Sequence, residues 1–386
     1  ASRRAPLPVA QGMSAASRGG RYAARAMSVS GSGTAARPVW SLLVPWPVGG
    51  AAGPPVFPIF LPFQGCPVRC VFCAQDVQTG LLPFSDPVAA VRAALTSASA
   101  ALAERAARGL PPVEPAFYGG TFTALPKAAL AACLRWAGKA RERGWATGFR
   151  CSTRPDRVDA TGLALLREAG CRTVELGVQS FADHALAAAR RGYTGAMAQT
   201  GCALVRQAGL QLTVQLLPGM PGHSPADFAA DVACSLAAGA QALRFYPCLV
   251  LRGTGLAELW RSGRYRPWPL DATLTALAVG WLRAREAGVA VIRMGLAPEP
   301  GLDAAVLDGP RHAALGARVQ GRALLLAVRR ALEATCRAEA GFALEAPHAC
   351  QGFFWGHKGE LRPAWEDLGL RRLHFSARSG LLLEAL

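Results

Sequence analysis

Three cysteines within eight residues carry the clearest chemistry in this chain. Cys66, Cys70 and Cys73 stand in the run Gly65-Cys66-Pro67-Val68-Arg69-Cys70-Val71-Phe72-Cys73-Ala74, spaced C-x3-C-x2-C, directly after the apolar stretch 57–63. Four thiolates would close a structural zinc or iron–sulfur site. No fourth cysteine is close; the next is Cys133. Three thiolates leave one corner of a metal centre open, and an open corner can take a substrate or a cofactor. The competing readings are a zinc knuckle completed by a distant ligand, and chance spacing.

Other polar groups stand at regular intervals further on. Tyr118-Gly119-Gly120-Thr121-Phe122-Thr123 follows the second apolar run. Two glycines at a strand end let backbone approach a ligand closely. Ser152-Thr153-Arg154-Pro155-Asp156 follows the third run; it could hold a carboxylate or ribose, or simply open a helix. In 173–181, period-two alternation puts Glu175, Gly177 and Gln179 on one face. An ionised Glu facing inward is costly unless bonded. Either a ligand or an internal arginine would satisfy it. Arg191 could reach a carboxylate or ribose, or be solvated. Aromatics alternate with arginines from Arg244 to Tyr265, a pattern that suits nucleotides and ordinary helix packing equally. His312 and His357 read as packed or solvated histidines. No Walker-type phosphate loop and no Ser-His-Asp order stands out.

These residues need elements to hold them. Apolar runs near 57–63, 115–119, 148–153, 172–178, 211–216 and 242–247 predict strands. Segments of helical period lie between them, at 86–108, 126–142, 160–169, 182–208 and 225–238. Six βα steps predict a parallel sheet with right-handed crossovers. In such barrels the working groups sit at the C-terminal strand ends, where the cysteine loop falls. A further helix (271–287) and strand (289–294) extend the sheet, and a long helix near 314–340 opens an α+β extension. Residues 1–40 are expected to be a disordered tail or a miscalled start, and 41–55 a Pro/Gly-rich lead-in.

Composition narrows the classes. Half of the 386 residues are hydrophobic, enough for a large core, yet no apolar run reaches eighteen residues. No membrane partner is expected. The formal charge is +17; residues 1–55 hold six arginines and no acid, which leaves +11 for the remainder. That excess suits an anionic partner such as RNA, although GC-rich coding bias produces the same arginine-rich composition. Eleven scattered cysteines in a chain of this length do not make a disulfide scaffold.

The ordered motifs GCPVRCVFC, YGGTF, STRPD, ELGVQSF with RRGYT, LLPGMPG and YPCLVLRGTGLAELWRSGRY resemble the radical S-adenosylmethionine (SAM) proteins of the Elongator catalytic-subunit type. More distantly they resemble oxygen-independent coproporphyrinogen oxidase. The resemblance spans roughly residues 56–296. It implies a partial (β/α)6 TIM-like barrel at 56–296, with an α+β extension at 297–386 that covers the barrel mouth. It implies a [4Fe–4S] cluster on Cys66, Cys70 and Cys73, and SAM against Gly119, Gly120 and Thr121. Glu175, Gln179 and Arg191 would line the SAM or substrate pocket, and the turn after Gln215 would shape an adenine pocket. An external one-electron donor, an RNA (tRNA) substrate and a reducing cytoplasm follow from the same likeness. The alternative is an enzyme or a non-catalytic cluster protein acting on a tetrapyrrole or other small molecule. The departures are a tighter cysteine spacing than the Elongator type usually has, and an extension expected to be too short for its acetyltransferase domain.

Overall fold

The computed structural model describes residues 25–27, 40–46, 53–61, 65–74, 86–296, 301–335 and 341–386. The rest of the expected tail, residues 47–52 of the lead-in, Cys336 and the start of the extension at 297–300 lie outside the described residues.

Seven parallel strands form the main sheet: β3 (Val56–Phe60), β4 (Glu114–Tyr118), β5 (Phe149–Thr153), β6 (Cys171–Gln179), β7 (Gln211–Leu216), β8 (Ala242–Phe245) and β10 (Ala290–Met294). Each lies beside its predecessor, so the chain winds in one direction through its crossovers. The connecting helices are α1 (Pro87–Ala107), α2 (Lys127–Glu142), α3 (Ala160–Glu168), α4 (Asp183–Ala188), α5 (Gly195–Gln207), α6 (Pro225–Ala237), α7 (Gly255–Arg261) and α8 (Leu270–Glu286). The sixth βα step is followed by the seventh strand that the 289–294 run predicted. The single helix expected over 182–208 is two helices. Arg190 and Gly192 take positive φ (54° and 75°) and break it, and Gly195 must be glycine because a Cβ would lie 2.0 Å from the Phe181 carbonyl oxygen.

Alternation sorts the sheet's two faces. Phe117, Phe149, Cys151, Val174, Leu176, Val214, Leu243 and Phe245 are buried in the core cluster shared with the surrounding helices. Each large side chain so buried contributes roughly 1.5–3 kcal/mol. The opposite face carries Tyr118, Arg150, Glu175, Gln215 and Arg244, and these meet one another. Tyr118 on β4 and Arg244 on β8 are four strand spacings apart, about 19 Å in a flat sheet. Their side chains are nevertheless 2.6 Å apart, so the sheet curls into a half-barrel with this polar face inside.

A second sheet has the order β1-β2-β14-β12-β13, from β1 (Arg25–Met27), β2 (Ser41–Pro45), β12 (Phe342–Pro347), β13 (Leu370–Ser376) and β14 (Gly380–Ala385). The expected lead-in therefore supplies a strand: β2 pairs antiparallel with β14, Leu43 opposite Leu382. Residues 25–27, within the expected tail, pair with β2 in turn. Residues of α10 (Leu315–Ala334), the long helix predicted near 314–340, contact α8, β10 and β2. Trp46 lies against Trp281 of α8, their ring centroids 5.3 Å apart. Most of the described extension thus packs on the barrel's flank rather than its mouth. The part that reaches the mouth is α9 (Leu302–Ala305) and β11 (Val306–Asp308), which pairs with β9 (Val250–Leu251); Leu302 there packs in one cluster with Ala74 of the cysteine loop.

Candidate active site at the C-terminal strand ends

The cysteine loop follows β3 and folds back on its neighbours through backbone bonds. Val71 N–H donates to Ala189 (3.2 Å), and Leu256 N–H donates to Val71 (2.7 Å). Gly65, at φ +77°, lets the loop press on the segment after β4; a Cβ there would lie 2.6 Å from the Thr121 carbonyl oxygen. The two loops meet at Cys66 Sγ and Thr121 Oγ1, 3.0 Å apart. Burial raises the Cys66 thiol pKa, and the Thr121 hydrogen bond works against that rise. Cys66 and Cys73 are half-buried and Cys70 is buried; all three are free thiols. Among the described residues, no three His, Cys, Asp or Glu side chains gather at metal-holding distance.

Two guanidiniums converge on Cys70. Arg191 Nη1 is 3.2 Å from Cys70 Sγ and Arg154 Nη1 is 4.0 Å away. Both arginines are buried. Arg154 is fixed by Asp156 (2.8 and 3.0 Å) and donates to the Arg191 carbonyl at 2.6 Å. Arg191 Nε donates to the Tyr193 hydroxyl (3.0 Å), which sits 2.9 and 2.8 Å from the carbonyl oxygens of Gly177 and Val178. The helix break before Gly192 is what turns Arg191 inward. Of its two sequence readings, solvation is thereby excluded; its guanidinium points at a cysteine of the loop.

Glu175 has no exposed side-chain surface, and its partners are internal. Arg244 Nε lies 2.9 Å from one carboxylate oxygen and Arg150 Nη1 3.2 Å from the other. Tyr118 O–H donates at 3.0 Å and Gln215 Nε2 at 2.9 Å. Arg150 also pairs with Glu114. Of the two readings of Glu175, the structure realises the internal pair, so no ligand is needed to satisfy it. Gln215 likewise spends its amide on Glu175 and Ser152. Burial and the Glu175 charge push the Tyr118 pKa well above its ordinary value, which keeps the phenol a donor. Burial disfavours charge on Arg244, but Glu175, Tyr246 and Tyr118 together outweigh it and the net shift is upward.

Gly119 and Gly120 have positive φ (101° and 56°). The close approach that Gly119 permits is by the chain's own backbone: a Cβ would lie 2.1 Å from the Leu61 carbonyl oxygen. Gln179 ends β6 with φ +68°, unusual for a non-glycine residue. Its amide nitrogen is 3.0 Å from where a Cβ on Gly177 would sit, so Gly177 makes room for it. The Pro-Gly turn after Gln215 is held by His223, whose Nδ1 accepts from Gly219 N–H (3.2 Å) and whose Nε2 lies 2.9 Å from buried Asp231. His312 and His357 pack edge to face, centroids 4.7 Å apart.

The structure therefore brings Cys66, Cys70, Thr121 and Arg191 together at the top of the sheet, and Glu175 with Gln215 below. Sequence reasoning weighed Arg154 only within its motif, as a holder of carboxylate or ribose, and did not select Tyr118, Arg150, Tyr193 or Arg244 as site residues. The period-two positions of Arg150 and Arg244, on the same face as Glu175, were the signal that could have found two of them.

Residues 60–233 match the family described as the Radical SAM superfamily, and residues 240–323 match the radical SAM C-terminal domain. Elongator complex protein 3 of Drosophila melanogaster is 30% identical in an alignment covering 44% of this chain and 36% of that protein. The tRNA uridine(34) acetyltransferase of Methanocaldococcus infernus is 29% identical over 33% of this chain and 24% of that protein. The chain thus spans roughly a quarter to a third of the length of these curated relatives. Similar solved structures include the Methanocaldococcus infernus Elp3 with an N-terminal deletion (TM-score 0.49, 20% identical, 73% of this chain and 63% of that chain). Another is the Escherichia coli coproporphyrinogen III oxidase HemN (TM-score 0.46, 17% identical, 61% and 53%). With two consecutive family matches over about two thirds of its length, laid on a curled parallel sheet whose first strand ends in C-x3-C-x2-C, the chain belongs to the radical SAM superfamily.

Proposed function

We propose that this chain is a radical SAM enzyme in which Cys66, Cys70 and Cys73 hold a [4Fe–4S] cluster and SAM docks against Gly119, Gly120 and Thr121. The substrate is an RNA base, in tRNA by kinship. The observation that carries the reading is the convergence at Cys70: two buried arginines stand 3.2 and 4.0 Å from the sulfur of a loop with three free thiols. Three thiolates on such a cluster leave net negative charge, and hydrogen bonds and charge around the sulfurs offset it. The donor set and its surroundings therefore fit the group.

When bound, the cluster and SAM supply a one-electron cleavage, fed by an external donor, that yields a 5′-deoxyadenosyl radical. The chain's own residues do the positioning. Thr121 ties the SAM-side loop to Cys66. Arg191 and Arg154 pair the thiolate charge at Cys70. Gln179, at the end of β6, presents a polar group beside Gly177. Glu175, Arg150, Arg244, Tyr118 and Gln215 form a bonded floor beneath the site, which keeps the curled sheet from flattening. Glu175 and Gln215 thereby act through the floor rather than as groups awaiting a ligand.

An RNA substrate is supported by the +11 charge outside residues 1–55 and by relatives named for tRNA uridine chemistry. We place the catalytic barrel at 56–296 and the extension at 297–386, with residues 41–45 completing the extension's sheet. No described helix is long and apolar enough to cross a membrane. An oxygen-sensitive cluster with reduced thiols suits the cytoplasm. The test is anaerobic reconstitution with iron and sulfide, then dithionite and SAM. Iron at four per chain and 5′-deoxyadenosine are expected. SAM binding with no 5′-deoxyadenosine would refute the enzymatic reading.

A further inference from the structure

One motif remains unused by the site above: the aromatic and arginine run beyond β8. We infer that a pocket formed by this run, beside the cysteine loop, stacks an unpaired base of single-stranded RNA. The inference rests on the RNA reading above and names where that RNA docks.

The pocket has a volume of about 360 Å³ and is lined by Trp260, Arg266, Trp268, Leu270 and Asp308, among others. That lies at the small end of the ~300–1,000 Å³ range of ligand pockets and suits one ring system with its sugar. Its aromatic walls are fixed before any ligand arrives. Trp260 Nε1 donates to Asp308 at 2.7 Å. Trp268 Nε1 donates to the His223 carbonyl at 3.1 Å, and its ring stacks on the His223 imidazole with planes 2° apart. Both indole N–H groups are spent, so the walls offer ring surface, the sequence-tolerant way to hold a base. Ordering cost is low because neither wall has to be immobilised on binding.

Charge selects the ligand. Arg266 lines the pocket, Arg261 and Arg264 are exposed on the same run, and the acid of the lining, Asp308, is bonded to Trp260. A base in the pocket would have its phosphates among these guanidiniums. Position ties the pocket to the chemistry. Trp260 lies on α7, whose Leu256 donates to Val71 of the cysteine loop, and Trp260 packs on the cluster that contains Val71. A base held here would bring its neighbours to the mouth of the barrel.

The test uses the full chain and a fluorescein-labelled octauridylate, followed by anisotropy over a potassium chloride series. Trp260→Leu should lower affinity by about five-fold or more, since a stacked base is worth at least about a factor of five. Trp260→Phe, which keeps a ring, should stay within about two-fold of the parent. The Arg264→Ala/Arg266→Ala double variant should reduce the slope of log affinity against log salt by about 1.4, at ~0.7 per phosphate. A 4-thiouridine octamer should photocross-link to residues 255–270. Parent-like binding by Trp260→Leu, cross-links confined elsewhere, or equal affinity for a blunt RNA duplex of the same charge would overturn the pocket and leave the RNA reading standing. No binding by the parent chain at low salt would overturn both.

Discussion

Removing the Glu175 carboxylate is the sharpest test of the floor beneath the site. Glu175 has 0% side-chain exposure, and its two arginine partners have 14% and 13%. In Glu175→Ala, Arg244 loses the carboxylate it pairs with. Arg150 keeps Glu114. One partner of a buried pair removed in this way costs about 3–5 kcal/mol, because the other charge stays buried without compensation. Arg150's remaining pair places the expected loss near the lower end, about 3 kcal/mol, with a melting-temperature drop on the order of 10 °C. Glu175→Gln keeps the shape and one acceptor and should cost less. The double variant Glu175→Ala/Arg244→Ala should cost less than the sum of its parts, since the second change removes the stranded charge. The assay is urea unfolding of each variant, read at the midpoint with the slope unchanged. A loss under about 1 kcal/mol for Glu175→Ala would refute the reasoning. If SAM affinity then fell while stability held, the carboxylate would be a ligand-binding group after all.

The close approaches at the two loops make further predictions. Gly119→Ala would place a Cβ 2.1 Å from the Leu61 carbonyl oxygen at φ +101°; it should lower the melting temperature, and an unchanged melt would show that β3 and β4 part easily. Gly65→Ala forces a Cβ to 2.6 Å from the Thr121 carbonyl oxygen and should reduce the iron bound after reconstitution while far-ultraviolet circular dichroism stays native; full iron loading would show that the Cys66–Thr121 contact is dispensable. Cys70→Ala should lose the cluster, and full iron occupancy in that variant would refute its assignment as a ligand. Glu360 gives a pH dependence. Burial raises its pKa, but hydrogen bonds from Arg318 and the His357 backbone, together with the Arg318 and Arg322 charges, outweigh that, so the folded pKa lies below the ordinary value. Its contribution is therefore present above the unfolded carboxylate pKa of about 4.3 and lost as pH falls through the folded value. The melting-temperature gap between the parent and Glu360→Gln should narrow between pH 5 and about pH 3; a gap constant across that range would remove Glu360 from the acid response.

What the chain discloses in one dimension follows the range of the interaction concerned. Periodicity is local, so β7, at residues 211–216, and α8, one residue from 271–287, stand where their patterns put them. The split of 182–208 was in fact written locally: residues 190–195 read Arg-Arg-Gly-Tyr-Thr-Gly, with two glycines, the Thr194 N-cap and no Ala or Leu, and the Ala- and Leu-rich segments on either side outweighed that signal. What no local propensity reports is how the second helix seats: its first residue, Gly195, lies close against the Phe181 carbonyl. The pairing of β2 with β14 joins residues more than 330 positions apart, and short apolar runs carry no record of their partner.

The same distinction divides the site. Cys66, Cys70 and Cys73 stood out because three cysteines on one loop leave a spacing that can be read. Glu175 was legible as a costly inward charge, but its solution was not, since Arg150 and Arg244 lie 25 and 69 residues away on different strands. Alternation says that these three share a face; curvature decides that they touch. The curl is itself sustained by them, because flattening the sheet would separate Tyr118 and Arg244 and leave buried charge without partners. The polar floor is thus a structural condition for bringing the cysteine loop, Thr121 and the two arginines of Cys70 to one point. A substitution several residues below that point should therefore alter the site's geometry before it alters any group that touches a ligand.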